Sequence, residues 1–238
     1  MAQLWSQPAY LLHARPYRET SLLLTLLTPD EGKLGLVAKG ARRPQSRQRS
    51  LLQPFLPLQI NYSGRASLRN LQSVEANGLP AHLQGRVLIS GLYLNELLVR
   101  LLAEGEPQPR LFVTYAWALQ HLAEEGALEA VLRRFEKELL AELGFALNLS
   151  HCVEGQPLQA QSWYQFDPQQ GLQRLASGAH NPQYHYPGWV LLALAEDDYQ
   201  QPQVRRLGKI LLRQALQPHL GEKPLHSRLL FQRPGQFS

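Results

Sequence analysis

The sequence predicts an α+β chain of two parts: a small closed barrel of five strands over residues 1–80, and a mainly α-helical part over 81–238. Three observations carry this. Apolar residues alternate with period two through the first 80 residues, between short turn-forming clusters. From residue 86 onward they recur at helical spacing instead. A chain of 238 residues, 44% apolar and 18% charged, forms one or two packed domains and is not wholesale disordered.

Tyr10–Arg15 is the first expected strand. Thr20–Thr28 is the second, with Leu22, Leu24 and Leu26 on one face. Pro29-Asp30-Glu31-Gly32 supplies turn chemistry, its glycine providing the positive φ such turns need. Lys33–Lys39 alternates Leu34, Leu36 and Ala38 against Gly35, Val37 and Lys39. A polar, basic loop spans Gly40–Ser50. Phe55–Tyr62 keeps Leu56, Leu58, Ile60 and Tyr62 in step, although Pro54 and Pro57 mark its start as an edge or bulge. Ser63-Gly64 turns the chain into Ala66–Val74, the fifth strand. Five strands joined by short turns suit a small closed barrel.

The pattern changes at Leu79-Pro80. Arg86–Ala103 is apolar on nearly every face and reads as a buried helix. Leu111–Glu125 and Leu128–Leu143 are further helices, the second striped by Leu128, Val131, Leu132, Phe135 and Leu139. Residues 148–186 read as irregular, with a short hairpin between Trp163–Phe166 and Leu172–Leu175. Gly188–Ala195 and Pro202–Gln217 return to helix. Pro202 fits a first helical position, and Pro218 is expected to end the run.

Composition excludes several function classes. The single cysteine, Cys152, can neither close an internal disulfide nor build a Cys-rich zinc site. His151 and Cys152 are too close in sequence to share a tetrahedral metal, and His180 and His185 have no ligand spacing. There is no P-loop, nucleophile elbow, zincin or dinucleotide motif. No catalytic residue, metal or cofactor is therefore expected. No stretch approaches the ~20 apolar residues of a membrane span, and no secretory signal opens the sequence. A cytoplasmic setting is expected.

Charge is uneven. Residues 1–80 hold ten Lys/Arg against four Asp/Glu, and residues 201–238 hold seven against one; the middle is acidic. Basic ends of this kind face either solvent or polyanions. The densest run is Lys39, Arg42, Arg43, Arg47 and Arg49, five cations in eleven residues with no carboxylate among them. Loops of five-stranded barrels are where oligonucleotides lie, and arginines there neutralise phosphates without reading sequence. Tyr10, Tyr17 and Tyr62 are stacking surfaces or core. Arg205, Lys209 and Arg213 share one helical face, which either the Glu196-Asp197-Asp198 run or an external anion offsets. Arg133 and Arg134 stand in i, i+4 register with Glu129 and Glu138, as ordinary surface salt bridges do.

Six segments, in order, resemble the RecO family of bacterial DNA repair proteins. They are His13-Ala14-Arg15-Pro16-Tyr17-Arg18-Glu19-Thr20-Ser21, Leu36-Val37-Ala38-Lys39-Gly40-Ala41-Arg42, Leu51-Leu52-Gln53-Pro54-Phe55, Gly91-Leu92-Tyr93-Leu94-Asn95-Glu96-Leu97, Leu132-Arg133-Arg134-Phe135-Glu136 and Leu220-Gly221-Glu222-Lys223-Pro224-Leu225-His226-Ser227-Arg228. The resemblance implies an OB barrel, a helical C-terminal part and no enzyme. It implies a nucleoid-associated protein that binds single- and double-stranded DNA and anneals complementary strands. It also implies action with RecR to help RecA replace the single-strand-binding protein SSB, and recognition of the acidic, Phe-ending SSB tail. Many relatives bind zinc through two cysteine pairs. Here Cys152 stands at the first position, Gly155 at the second, and no later cysteine exists. The 148–186 segment is therefore expected to be zinc-less and held by packing, with Trp163, Tyr164 and Phe166 as filling.

On this basis Lys39, Arg42, Arg43, Arg47 and Arg49 are the expected phosphate ligands, with Arg15 and Lys33 on neighbouring strands. For the SSB tail the expected cations are Arg133, Arg205 and Lys209, and the expected apolar walls are Leu111, Phe112 and Tyr115. The alternative is an unrelated OB-fold RNA-binding or ribosome-associated factor, which would share the basic loop but neither anneal strands nor bind an SSB tail.

Overall fold

The computed structural model describes residues 4–64, 69–122, 124, 128–176, 181 and 184–231. Five strands, β1 (Leu4–Tyr17), β2 (Ser21–Thr28), β3 (Gly32–Ala38), β4 (Pro57–Ser63) and β5 (Arg69–Ala76), close into a barrel in the order β1-β2-β3-β5-β4, with β1 pairing back onto β4. Every ladder is antiparallel except β3–β5. The alternation in the sequence is the cause. Leu24, Leu26, Leu34, Leu36, Leu58 and Ile60 all point inward and are buried. Gly32, at φ 55 in the β2–β3 turn, lies so close to the Glu106 carbonyl that a Cβ would collide with it.

The first strand is longer than its sequence suggests. Leu4–Tyr10 pairs with β4 and Tyr10–Tyr17 with β2, so only Tyr10 pairs on both sides. Pro8 and Pro16 each have an open side for the missing N–H, so neither breaks the strand. The register shifts between Leu11 and His13. That bulge leaves the Leu12 carbonyl to accept from Asn95 Nδ2 at 3.1 Å. A short helix, α1 (Gln48–Leu51), occupies the end of the expected basic loop. The expected start of the fifth strand, at Ala66, lies outside the described residues.

The chain divides into two compact units, residues 1–125 with 224–238, and residues 126–223. The first combines the barrel with α2 (Gly85–Leu101), α3 (Pro109–His121) and α7 (His226–Phe231). Three residues of one motif explain its packing. At Gly91 a Cβ would stand 2.7 Å from Leu83 Cδ1 and 2.9 Å from Phe55 Cε1, so only glycine fits. Asn95 reaches Leu12 and accepts from the Tyr115 hydroxyl at 2.5 Å. Glu96 caps α7, accepting from His226 N, Ser227 N and Ser227 Oγ at 2.7–2.9 Å.

The second unit holds α4 (Leu128–Glu142), α5 (Gly188–Ala195), α6 (Pro202–Leu220) and a small sheet in the order β7-β6-β8. The expected hairpin is β6 (Trp163–Asp167) with β7 (Gly171–Arg174), and β8 (His185–Pro187) joins it as a third strand that the sequence does not announce. Tyr164, Leu172 and Tyr186 pack with Cys152, Val190, Leu194 and Leu207 in one core, against which Phe166 also lies. Trp163 is half-buried outside that cluster. Among the described residues no group of three His, Cys, Asp or Glu is placed to hold a metal. Pro218 does not end α6 as expected. The helix runs on to Leu220 with the proline inside, because in the last turn a missing N–H removes only one bond, and Gly221 closes it.

Candidate nucleic-acid interface

The pairing of β1, β2 and β3 decides which side chains leave the barrel together. Arg15 stands opposite Leu23, and Leu23 opposite Val37; Tyr17 stands opposite Ser21. These residues share the outer face, while Leu24, Leu36 and Ala38 fill the interior. At the end of that face the β1–β2 turn and the loop after β3 enclose a depression of about 330 Å³. Tyr17, Arg18, Thr20, Ser21, Val37, Lys39, Gly40 and Arg43 form its lining, with three cations and no carboxylate.

Arg42 explains why this depression has a fixed shape. Its backbone N–H donates to the Thr20 carbonyl at 2.9 Å, and its Nη1 donates to the carbonyls of Arg18 and Glu19 at 3.2 and 3.0 Å. One arginine thus grips three successive carbonyls of the β1–β2 turn and joins the two walls. Beyond it the loop proceeds by tight turns, with Arg43 N–H on Gly40, Ser46 on Arg43 and Arg49 on Ser46. Lys39, Arg43, Arg47 and Arg49 are exposed, as is Arg15, and among the described residues none of the five is in an ion pair. Cations with no internal partner are available to an external anion.

The other expected ligands have other places. Lys33 Nζ donates to the Val99 carbonyl at 3.1 Å, in the last turn of α2, where a cation offsets the helix dipole. Tyr10 packs on Phe112 and Tyr115, with ring centroids 5.4 and 5.1 Å away. Tyr62 is buried, accepts from Gln7 at 2.7 Å and stacks on Trp5. Burial raises the pKa of both phenols. Of the three tyrosines only Tyr17 lines the depression. Arg18 was not singled out by sequence reasoning; its φ of 51 and its place between two strands, with its guanidinium 5.3 Å from the Tyr17 ring, mark it as the turn's exposed cation.

The residues expected to hold the SSB tail are divided between the two units. Leu111, Phe112 and Tyr115 belong to the first unit, and Arg133, Arg205 and Lys209 to the second. Leu111 and Tyr115 are fully buried, and burial holds the Tyr115 phenol well above its ordinary value. Arg133 is buried with Glu136 at 2.6 Å. Arg205 donates to the Tyr199 and Gln200 carbonyls and lies 3.3 Å from Glu129. Lys209 is exposed. Partial desolvation, then Arg213 and Arg133, lower its pKa.

No helix among the described residues is long and apolar enough to cross a membrane. Comparison with known proteins agrees with this anatomy. Residues 1–79 match the family described as Recombination protein O N terminal, and residues 82–229 match Recombination protein O C terminal. The DNA repair protein RecO of Cellvibrio japonicus is 45% identical over 226 residues, which cover 94% of this chain and 95% of that one. The DNA repair protein RecO of Pseudomonas putida is 44% identical over 236 residues, covering 98% of this chain and all of that protein. That of Nitrosospira multiformis is 42% identical over 226 residues, covering 94% and 93%.

Proposed function

The chain belongs to the RecO family, and from that premise we propose that it serves DNA repair and recombination by binding, not by catalysis. The outer barrel face and the loop after β3 hold single- and double-stranded DNA by its phosphates, and the protein anneals complementary single strands. With RecR it helps RecA replace SSB on single strands, at the nucleoid in the cytoplasm. One observation carries the reading. The depression beside the β1–β2 turn is lined by three cations and no acid, and the exposed cations around it have no ion pair within the described residues. Such a surface releases counterions from any sequence and screens the repulsion that keeps two complementary strands apart.

The SSB tail is assigned to the α4–α6 surface, around Lys209. Partial desolvation, then the neighbouring Arg213 and Arg133, depress the Lys209 ammonium, and an acidic peptide there offsets the arginines' repulsion. Charge reversal at Lys209 is expected to weaken tail-peptide binding in fluorescence anisotropy; unchanged binding removes this surface from the reading.

The central test is the double variant Lys39→Ala/Arg43→Ala in a salt titration of single-strand binding. Losing two phosphate contacts should lower the slope of log affinity against log salt by roughly 1.4, at about 0.7 per contact. Annealing of SSB-coated complementary strands should slow in parallel. An unchanged slope would exclude this face.

A further inference from the structure

The depression at the barrel's edge carries more than charge. Its volume of about 330 Å³ is at the small end of ligand clefts, which run from roughly 300 Å³ upward, and suits one mononucleotide but not a paired base step. Its chemistry is graded. Lys39 and Arg43 stand on the wall formed by the loop, with Val37 as an apolar patch. Tyr17 lies on the opposite wall as a half-buried ring, with the Arg18 guanidinium 5.3 Å from its centroid. The hydroxyls of Tyr17, Thr20 and Ser21 make no hydrogen bond within the described residues, although Ser21 is buried. Arg42 holds the two walls at a fixed separation through the carbonyls of Arg18, Glu19 and Thr20.

We propose that this depression is a cradle for a single unstacked nucleotide of a DNA strand: the phosphate on Lys39 and Arg43, the base against the Tyr17–Arg18 layer, the sugar or base edge on the Thr20 and Ser21 hydroxyls. The proposal rests on the reading that this face binds DNA, and it adds a distinction that phosphate contacts alone do not make. A surface of cations holds any backbone equally. A cradle that takes one base requires that base to be out of its stack, which a single strand offers cheaply and a duplex does not. Tyr17 is then the residue that tells a single strand from a duplex, and it favours no base over another because every base has a π-face.

The test compares three ligands by anisotropy at fixed salt: oligothymidylate, a strand of abasic units with the same length and phosphate number, and a duplex. The wild-type chain should bind oligothymidylate about tenfold tighter than the abasic strand, as one stacked base is worth. Tyr17→Leu should lose that preference while its circular-dichroism spectrum and melting transition report a folded barrel. Tyr17→Phe should behave as wild type. Equal binding of the thymidylate and abasic strands by the wild type, or retention of the preference by Tyr17→Leu, overturns the cradle. The underlying reading fails separately, if Lys39→Ala/Arg43→Ala leaves the affinity for all three ligands unaltered.

Discussion

Two sets of cations, alike in residue type, have opposite fates in this molecule. In the loop after β3, Lys39, Arg43, Arg47 and Arg49 are exposed and in no ion pair within the described residues. In the second unit, Arg133 meets Glu136 at 2.6 Å with side chains 4% and 0% exposed, Lys137 meets Asp197 and donates to the carbonyls of Leu194 and Ala195, and Arg205 reaches Glu129 and two carbonyls. The first set is available to ligand and the second is part of the scaffold. A count of positive residues treats them as equal; the presence or absence of an internal acceptor separates them.

The strongest challenge to this contrast is Arg133→Ala. If the pair is scaffold, its loss leaves Glu136 charged and buried, and the unfolding free energy should fall by about 3–5 kcal/mol in chemical denaturation. Single-strand affinity of the folded fraction should not change. A loss of DNA binding at unchanged stability would place Arg133 with the ligand-facing set.

Glu96 extends the contrast to an acid. Burial alone would raise its pKa, but the backbone and side-chain hydrogen bonds from Ser227 and the backbone bond from His226 outweigh that and lower it. Because the folded value lies below the ordinary 4.5, the stability it contributes is present above that pH and is lost as the pH falls through the folded value. Glu96→Ala should therefore cost about 1.5–3 kcal/mol at neutral pH, the range for bonds to a charged acceptor. The difference from wild type should shrink in denaturation curves taken progressively below pH 4.5. A constant difference would show that the carboxylate charge plays no part.

Arg42 is the informative exception, an arginine held by internal carbonyls inside the unpaired loop. Arg42→Ala should weaken single-strand binding by roughly 1 kcal/mol through loosened walls. The salt slope should stay at the wild-type value, unlike that of Lys39→Ala/Arg43→Ala. A slope reduced by about 0.7 would make Arg42 a phosphate ligand after all. The smallest effect is expected at Lys209. Its lowered pKa means that its charge opposes folding at every pH below that value, so Lys209→Gln should stabilise slightly, within about 0.5 kcal/mol. The gain should vanish as the pH rises past the pKa of the wild-type lysine.

The barrel was legible because its information is local. Leu22, Leu24 and Leu26, then Leu34, Leu36 and Ala38, then Leu56, Leu58, Ile60 and Tyr62 each state a face within a few residues, and the structure buries all but Leu22, which packs half-buried against the same core. The full length of β1 was not, since Pro8 and Pro16 are acceptable only once it is known that each stretch pairs on one side. Nor was β8, three residues whose partners in β6 lie 20–24 positions back. At the candidate site, the cation density of residues 39–49 was plain in the sequence. The division of labour within it was not: Arg42 answers to carbonyls 22–24 residues back, and Lys33 to one 66 residues ahead. Leu111 and Tyr115 looked like pocket walls because apolar periodicity names a buried face without saying what buries it.

The clasp between Glu96 and the start of α7 spans 130 residues of sequence, and an entire second unit is made between its two halves. On the ribosome, the barrel and α2 emerge long before the helix that completes their side. The nascent first unit must wait with its docking edge uncovered, while the inserted unit can fold as soon as its own residues are out. A slow codon stretch or a chaperone would have most to protect in that interval, and a nonsense codon anywhere before residue 226 would harm the earliest-made part of the polypeptide.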